Sequence, residues 1–145
     1  MKERYIFHLA FAVSDLETAK HFYVDLLGAQ IGRENNEWLD ILLWGHQITL
    51  HCRPLEVASL DKQGKRHFGV VLPWIEWQKM AESLQSRGHE FLSKPTVLFA
   101  GTHEEQAKFY LKDPSNNIIE IKAYKDFEQT LTLRGETTTY SYPQA

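Results

Sequence analysis

HLAFAV at residues 8–13 has a counterpart in HFGVVL at residues 67–72. Each stretch begins with a histidine, and each is followed by an amphipathic pattern that ends at a glycine, Gly28 or Gly88. Alternating large and small side chains predict a strand, and apolar residues at helical spacing after it predict a helix. The chain therefore contains a duplicated unit with a histidine at the same point of both copies, which suggests a metal site between the copies.

Composition limits the classes of function. The chain has 145 residues, 43% hydrophobic and 12% aromatic, enough for one core or for two small modules that share one. A net charge of −3 without a basic block argues against nucleic acid as a partner and favours a small molecule. Cys52 is the single cysteine, so no internal disulfide forms and we expect a reducing, cytoplasmic location. The apolar stretch before residue 14 is too short for a secretory signal or a membrane segment.

The hydrophobic period predicts the order β-α-β-β-β in each unit. The strands of the first unit are predicted at about residues 8–13, 30–33, 38–44 and 47–53. Those of the second unit are predicted at about residues 67–72, 89–92, 106–111 and 117–124. Ser14 and Glu17 have the spacing of a capping box at the start of the first helix, and Pro73 heads the second helix. We therefore predict an α+β fold of two βαβββ modules that form a cupped mixed sheet around a metal site.

The predicted domain organisation is a single domain followed by a tail. Residues 1–124 form the domain, with module one at about residues 5–53 and module two at about residues 66–124. Residues 125–145 form a polar, threonine-rich tail, in which residues 131–134 and 137–140 could pair as a hairpin.

Strand alternation predicts which side chains share the inner face of the sheet. Large apolar residues occupy one parity and are expected to pack under the helices. The other parity carries the polar and small residues His8, Trp38, Asp40, Thr49, His51, His67, Gly69, Lys108, Tyr110 and Glu120. Charged groups on such a face are costly unless they are paired, solvated or bound to metal. His8, His67 and Glu120 can supply two imidazoles and one carboxylate, a suitable set for a divalent ion.

Four motifs resemble the vicinal oxygen chelate superfamily, which includes glyoxalase I, bleomycin-resistance proteins, fosfomycin-modifying enzymes and type I extradiol dioxygenases. The motifs are FHLAFAVSDL at residues 7–16, Phe22-Tyr23 before Leu27-Gly28, HFGV at residues 67–70, and DPSNN at residues 113–117 leading to Glu120. The resemblance covers roughly residues 5–124. It implies the same fold of paired βαβββ modules around one divalent metal.

Within that superfamily the chain is most similar to extradiol dioxygenases. This resemblance implies that His8, His67 and Glu120 bind the metal, most simply Fe(II), with Mn, Zn or Ni as alternatives. It also implies that Tyr110, ten residues before Glu120, and His51, sixteen residues before His67, are catalytic. His51 would move a proton, and Tyr110 would hydrogen-bond to a substrate oxygen. The implied substrates are a catechol-type diol and O2, and relatives commonly form homodimers.

The chain departs from the dioxygenase pattern at two points. A further histidine of that family would fall near Gly101, where only His103 is close, so the role of His103 stays open. Asn116 stands where the family turn usually has glycine, and asparagine tolerates the left-handed conformation that such a turn needs. Trp38 or Phe99 could provide an apolar wall for the substrate. Whether the two modules pair within one chain or are exchanged between two chains is not determined by the sequence.

Two other classes of function remain open. One class is another metalloenzyme of the same fold that uses Ni, Zn or Mn, either a glyoxalase-like isomerase or an epoxide- or thiol-directed transferase. An isomerase of the glyoxalase type requires a carboxylate ligand from each module, but the first module of this chain offers His51 or Thr49 instead. A thiol transferase acting on a phosphonate requires a cluster of basic residues, for which the sequence offers only Lys108 and Arg53. The other class is a metal-free protein that binds a planar ligand, in which His8, His67 and Glu120 would be no more than polar residues lining its site.

Overall fold

The structure is a computed structural model that describes residues 3–131. The chain divides into two compact units. Within the described residues the first unit comprises residues 3–70 and 110–120, and the second comprises residues 71–109 and 121–131. The predicted tail hairpin lies outside the described residues except for Leu131, which ends a 3-10 turn at Phe127–Leu131.

In residues 3–131, two four-stranded sheets with corresponding strand order form the fold, and two α-helices accompany them. The first four strands are β1 (His8–Val13), β2 (Gln30–Glu34), β3 (Trp38–Leu43) and β4 (His46–Cys52). The other strands are β5 (Phe68–Val71), β6 (Ser93–Leu98), β7 (Gln106–Lys112) and β8 (Ile118–Tyr124). Helix α1 spans Leu16–Lys20 and helix α2 spans Trp74–Ser86. The sheet orders β1-β4-β3-β2 and β5-β8-β7-β6 confirm the predicted α+β class and the duplication.

The alternation predicted for the first sheet is confirmed in β3 and β4. In that sheet β1 runs parallel to β4, and β3 lies antiparallel to both β4 and β2. The side chains of one parity are buried: Leu39, Ile41, Leu43, Ile48 and Leu50. The register pairs the residues of the other parity across the strands, Trp38 with His51 and Asp40 with Thr49. The first sheet therefore has one apolar face and one face that carries polar groups.

The first helix begins one residue later than the capping pattern predicts. The Asp15 carboxylate accepts a hydrogen bond from the Thr18 backbone N–H at 2.8 Å and is the N-cap of α1. Ser14 is engaged elsewhere, because its backbone N–H donates to Ser115 Oγ at 2.8 Å. The predicted Ser14–Glu17 capping box is therefore wrong. Beyond Lys20 the helix continues as a π-helical segment, His21–Leu26, which the periodicity did not predict.

A buried carboxylate organises the turn before β8. Asp113 Oδ1 accepts hydrogen bonds from the backbone N–H groups of Ser115 and Asn117, at 2.8 and 2.9 Å. Its Oδ2 accepts from the Tyr23 hydroxyl at 2.8 Å, and Tyr23 is fully buried. Asn116 has a φ of 66°, so the asparagine adopts the left-handed conformation expected of it. This network fixes the position at which β8 begins, and with it the position of Glu120 on that strand.

In the second unit the strand predicted at residues 89–92 is wrong, since the strand is β6 at Ser93–Leu98. The backbone N–H groups of Gly88 and His89 bond back to Gln85 and Leu84 at the end of α2. The ring of Phe91 then packs edge-on against Phe109, with centroids 5.3 Å apart. Residues 88–91 therefore form the C-terminal cap of α2 and the packing next to it, although the alternation assigned residues 89–92 to a strand. No helix in residues 3–131 combines the length and the apolar run needed to span a bilayer.

Candidate metal centre

His67 immediately precedes β5 and faces the carboxylate of Glu120 on β8. Its Nδ1 lies 2.7 Å from the backbone carbonyl oxygen of Lys65, and its Nε2 lies 3.0 Å from Glu120 Oε2. A carbonyl oxygen only accepts hydrogen bonds, so Nδ1 carries the proton that is donated to it. In the neutral ring, Nε2 then presents a lone pair toward the carboxylate. Two acceptor atoms at this distance attract each other only with a proton or a cation between them.

The separation of His67 Nε2 and Glu120 Oε2 fits two ligands of one divalent ion. Ligand atoms about 2.1 Å from one ion and at right angles to each other lie about 3.0 Å apart. Nε2 and Oε2 are separated by that distance. The bond from Nδ1 to a backbone carbonyl is the arrangement that orients metal-binding histidines in other proteins. The Glu120 side chain is only 12% exposed and that of His67 is 36% exposed, so the pair lies at the mouth of a site rather than on a free surface.

Tyr110 on β7 joins this pair. Its ring meets the His67 ring edge-on, with centroids 5.6 Å apart. Burial, followed by the negative charge of Glu120 and a hydrogen bond to it, raises the pKa of the Tyr110 phenol. The hydroxyl therefore stays protonated at neutral pH and remains a donor. Three of the five predicted site residues, His67, Tyr110 and Glu120, are thus brought together.

Gly69 explains how β5 and β8 approach each other beside His67. A Cβ atom at Gly69 would collide with the backbone carbonyl group and nitrogen of Glu120. Backbone atoms cannot move away as a flexible side chain can. The glycine is therefore required for the strand spacing that places Glu120 within reach of His67.

Gly69→Ala should both destabilise the fold and weaken metal binding, because the new methyl group forces β5 away from β8. We expect a loss of about 3 kcal/mol in the free energy of unfolding, measured by urea denaturation. Gly64→Ala is the matched control, since its Cβ meets no atom within 4 Å and only its φ of 62° is strained. That control should cost about 1 kcal/mol and leave metal affinity unchanged. Equal losses in the two variants would contradict this role of Gly69.

His8 lies apart from this pair. Its Nδ1 is 2.8 Å from Gln47 Oε1, the residue opposite it on β4, so its Nε2 is also left as the acceptor nitrogen. Among residues 3–131 no three His, Cys, Asp or Glu side chains are close enough to hold one metal ion. His8 instead shares a cleft of about 250 Å³ with His51. One chain thus presents two sets of predicted residues, His67 with Tyr110 and Glu120, and His8 with His51.

The polar face of the first sheet contains a buried carboxylate, Asp40. Its Oδ1 accepts a hydrogen bond from Thr49 Oγ1 at 2.6 Å, and its Oδ2 accepts from Arg33 Nε at 3.0 Å and lies 2.9 Å from Arg33 Nη2. Burial alone would raise the pKa of Asp40, but the bonds from Thr49 and Arg33, together with the Arg33 charge, lower it. Arg33 was missed by sequence reasoning. Strand alternation gave Asp40, but it could not predict the β-bulge that breaks the β2–β3 register near Arg33.

Asp40 should make stability depend on pH in the acid range. Its folded pKa lies below the unfolded value of 3.8, so its contribution is present above that value and is lost as the pH falls through the folded pKa. In Asp40→Asn the free energy of unfolding should therefore fall less steeply with acid than in the wild type. Thr49→Val, which removes one of the bonds, should give an intermediate slope. Identical slopes in all three proteins would show that Asp40 does not contribute.

The remaining predicted residues gain no role in the centre. His103 lies 3.9 Å from its neighbour Glu104, and Phe99 has a left-handed φ of 55°. Both belong to the second unit. Trp38 lines the same cleft as His8 and His51, and its ring lies beside the Arg33 guanidinium.

Comparison with known proteins identifies the family. The profile of the Glyoxalase/Bleomycin resistance protein/Dioxygenase superfamily matches residues 5–121. The chain belongs to this superfamily. It is 28% identical over 120 residues to a virulence protein of Salmonella typhimurium, covering 81% of this chain and 82% of that protein. Superfamily members include enzymes and bind small molecules at divalent metals.

Solved structures of superfamily members share the fold. A glyoxalase/bleomycin resistance protein/dioxygenase from Alicyclobacillus acidocaldarius is 29% identical, with a TM-score of 0.74 over 91% of this chain and 100% of that one. A genomically encoded fosfomycin resistance protein from Listeria monocytogenes is 19% identical, with a TM-score of 0.65 over 88% of this chain and 99% of that one. At that identity the second likeness concerns the fold alone.

Proposed function

We propose that the protein is a divalent-metal enzyme of this superfamily that opens a catechol-type diol in extradiol fashion, with Fe(II) as its metal. The observation that carries the proposal is the 3.0 Å approach of His67 Nε2 to Glu120 Oε2, with Nδ1 held by the Lys65 carbonyl. His67 and Glu120 supply two ligands, and His8 supplies the third. Two imidazoles and one carboxylate are the ligand set of non-haem iron oxygenases.

The third ligand comes from a second copy of the chain in this proposal. His8 presents its Nε2 from the first sheet but forms no three-ligand group with His67 and Glu120 in residues 3–131 of one chain. A symmetric dimer would join the His8–His51 set of one copy to the His67–Tyr110–Glu120 set of the other, twice. The active protein is accordingly a homodimer with two equivalent sites.

Each side chain has a defined task in this arrangement. When bound, Fe(II) supplies open coordination positions for the two diol oxygens and O2. His51 accepts a proton from the diol and later returns it, as a general base and then a general acid. Tyr110 keeps its proton at neutral pH and donates a hydrogen bond to a substrate oxygen. His67 also lines a cleft of about 540 Å³ with apolar side chains such as Phe11 and Phe68, which offers an apolar surface to the ring of the substrate.

Oxygen consumption tests the activity directly. Protein loaded anaerobically with Fe(II) is mixed with a panel of catechols, and O2 uptake is followed together with the absorbance of ring-opened product. We expect uptake with at least one catechol, and none with His67→Ala at the same iron concentration. Normal iron binding without uptake for any catechol in the panel would refute the dioxygenase function while leaving the metal centre intact.

Mixing two inactive variants tests whether the site is shared between copies. His8→Ala and His67→Ala should each be inactive alone. After joint unfolding and refolding, random pairing makes half of the dimers mixed, and each mixed dimer regains one of its two sites, or about a quarter of all sites. A mixture as inactive as its components would show that the ligands come from a single chain.

A further inference from the structure

The polar face of the first sheet holds an arginine in a fixed orientation. Asp40 Oδ2 engages the Nε and Nη2 atoms of Arg33, and the guanidinium carbon lies 5.4 Å from the centre of the Trp38 ring. Asp40 is itself held by Thr49 at 2.6 Å, and its side chain is 7% exposed. A guanidinium clamped by a buried carboxylate and an aromatic ring loses little further freedom when it binds a ligand.

One edge of this guanidinium remains available. Asp40 uses the Nε side of Arg33, which leaves Nη1 without a hydrogen-bond partner in the described part of the chain. The Arg33 side chain is 78% exposed although its partner is buried. The edge formed by Nη1 and Nη2 presents two parallel N–H groups, whose spacing matches the two oxygens of a carboxylate. A ligand carboxylate can therefore bind there without displacing Asp40.

Arg33 also lies where two clefts meet. One is the cleft of about 250 Å³ that contains His8 and His51. The other, of about 520 Å³, contains the half-exposed apolar side chains of Ile6, Ile31 and Leu42. Both clefts share Arg33, Asp40 and Gln47. A cation between an apolar cleft and a histidine-lined cleft suits a ligand that is anionic, partly apolar and small.

The sheet geometry places the two ends of such a ligand. His8 on β1 pairs with Gln47 on β4, and Gln47 pairs with Leu42 on β3. Asp40 is two residues before Leu42 on the same strand, so it lies on the same face of the sheet as His8, two strands away. Standard strand spacing puts their Cα atoms about 12 Å apart. Both residues line the same cleft as Arg33, so a small ligand can reach from Arg33 toward His8.

We propose that Arg33 determines substrate specificity by binding a carboxylate group that the diol substrate carries on a short side chain. This inference rests on the proposed function, because it assigns a substrate class to the site that includes His8. Asp40, Thr49 and Trp38 are positioning residues, which hold the guanidinium but do not touch the substrate. Neutral catechols of the same size are accordingly poorer ligands.

Paired ligands test the inference. Full-length protein loaded with Zn²⁺, a redox-inactive stand-in, is titrated calorimetrically with a catechol bearing an acetate side chain and with the corresponding acetamide. We expect the acid to bind about tenfold more tightly than the amide, as befits a bidentate charge-assisted contact. In Arg33→Gln the ratio should fall to about one while the Kd of the amide is unchanged. Arg87→Gln, at the end of α2, is the matched control and should keep the wild-type ratio.

The outcomes separate the two proposals. A ratio unchanged by Arg33→Gln overturns the role of Arg33, whatever the activity of the enzyme. Failure of the wild type to bind metal overturns the proposed function, and metal-free protein is then titrated with phenylacetate and phenylacetamide, for which the same dependence on Arg33 is expected. Should Arg33→Gln fail to fold, the Arg33 Nε–H resonance of the wild type is followed during addition of phenylacetate, and a resonance that does not shift refutes the contact.

Discussion

Replacement of His67 by alanine is expected to remove stoichiometric metal binding from a protein that remains folded. The substitution deletes the Nε2 atom that faces Glu120 at 3.0 Å. Mutation of a residue that only hydrogen-bonds to a metal ligand lowers metal affinity by up to about 100-fold. Loss of a direct ligand should therefore lower the affinity for a divalent ion by more than this. The side chain is 36% exposed, so little packing is lost. Metal content after dialysis, together with the circular dichroism spectrum, checks both halves of the expectation.

His21→Ala is the matched control for this loss. His21 Nδ1 also lies close to a carboxylate, at 2.8 Å from Asp25 Oδ2, but both side chains are largely exposed on the π-helical segment His21–Leu26. An exposed pair of this kind contributes little to stability and offers no shielded site. The control should bind metal as the wild type does. If His21→Ala and His67→Ala lose metal equally, the binding depends on surface histidines and the candidate centre is wrong.

Asp113→Ala should strongly destabilise the first unit. It leaves the buried Tyr23 hydroxyl and the N–H groups of Ser115 and Asn117 without their acceptor. The bond from the Asn117 side-chain amide to Asp113 Oδ2 is lost as well. Because buried donors without partners are costly, these losses together should reduce the free energy of unfolding by about 3 to 5 kcal/mol. Urea denaturation monitored by tryptophan fluorescence measures the loss.

The same substitution at Asp15 provides the comparison. Asp15 also accepts a backbone hydrogen bond, from Thr18 at 2.8 Å, but it is exposed at the start of α1. Loss of an N-cap costs about 1 kcal/mol. Metal affinity should fall in Asp113→Ala, since the turn positions Glu120, and should stay unchanged in Asp15→Ala. A cost at Asp113 no larger than at Asp15 would contradict the proposed role of the buried network.

Local patterns were sufficient to predict most of the fold. Strict alternation in β3 and β4 follows from burial of one face, so residues such as Leu39 and Leu50 define both the strands and their register. The duplication of a histidine-led strand followed by a helix predicted two βαβββ modules, and the structure contains two four-stranded sheets of corresponding strand order. The prediction for β6 failed because residues 88–91 close the end of α2, which depends on packing of Phe91 rather than on alternation.

The site was predictable only in part, for a related reason. Alternation assigns His8 and His67 to the polar sides of their own strands. It does not determine whether the faces of two different sheets open into one space, because that depends on long-range packing. Likewise, the parity of Asp40 could be read from the sequence, but its partner Arg33 depends on a bulge in β2 and on Gly32, whose Cβ would lie 3.2 Å from the Asp40 carbonyl oxygen.

X-ray absorption spectroscopy of the zinc-loaded protein tests most directly whether His67 and Glu120 bind the same ion. We expect a shell of imidazole nitrogens and carboxylate oxygen at about 2.1 Å, the ordinary distance for such ligands. The imidazole signal should weaken in His67→Ala, and the oxygen contribution should change in Glu120→Gln. A wild-type spectrum reproduced unchanged by both variants would contradict the account, because neither residue would then be a ligand.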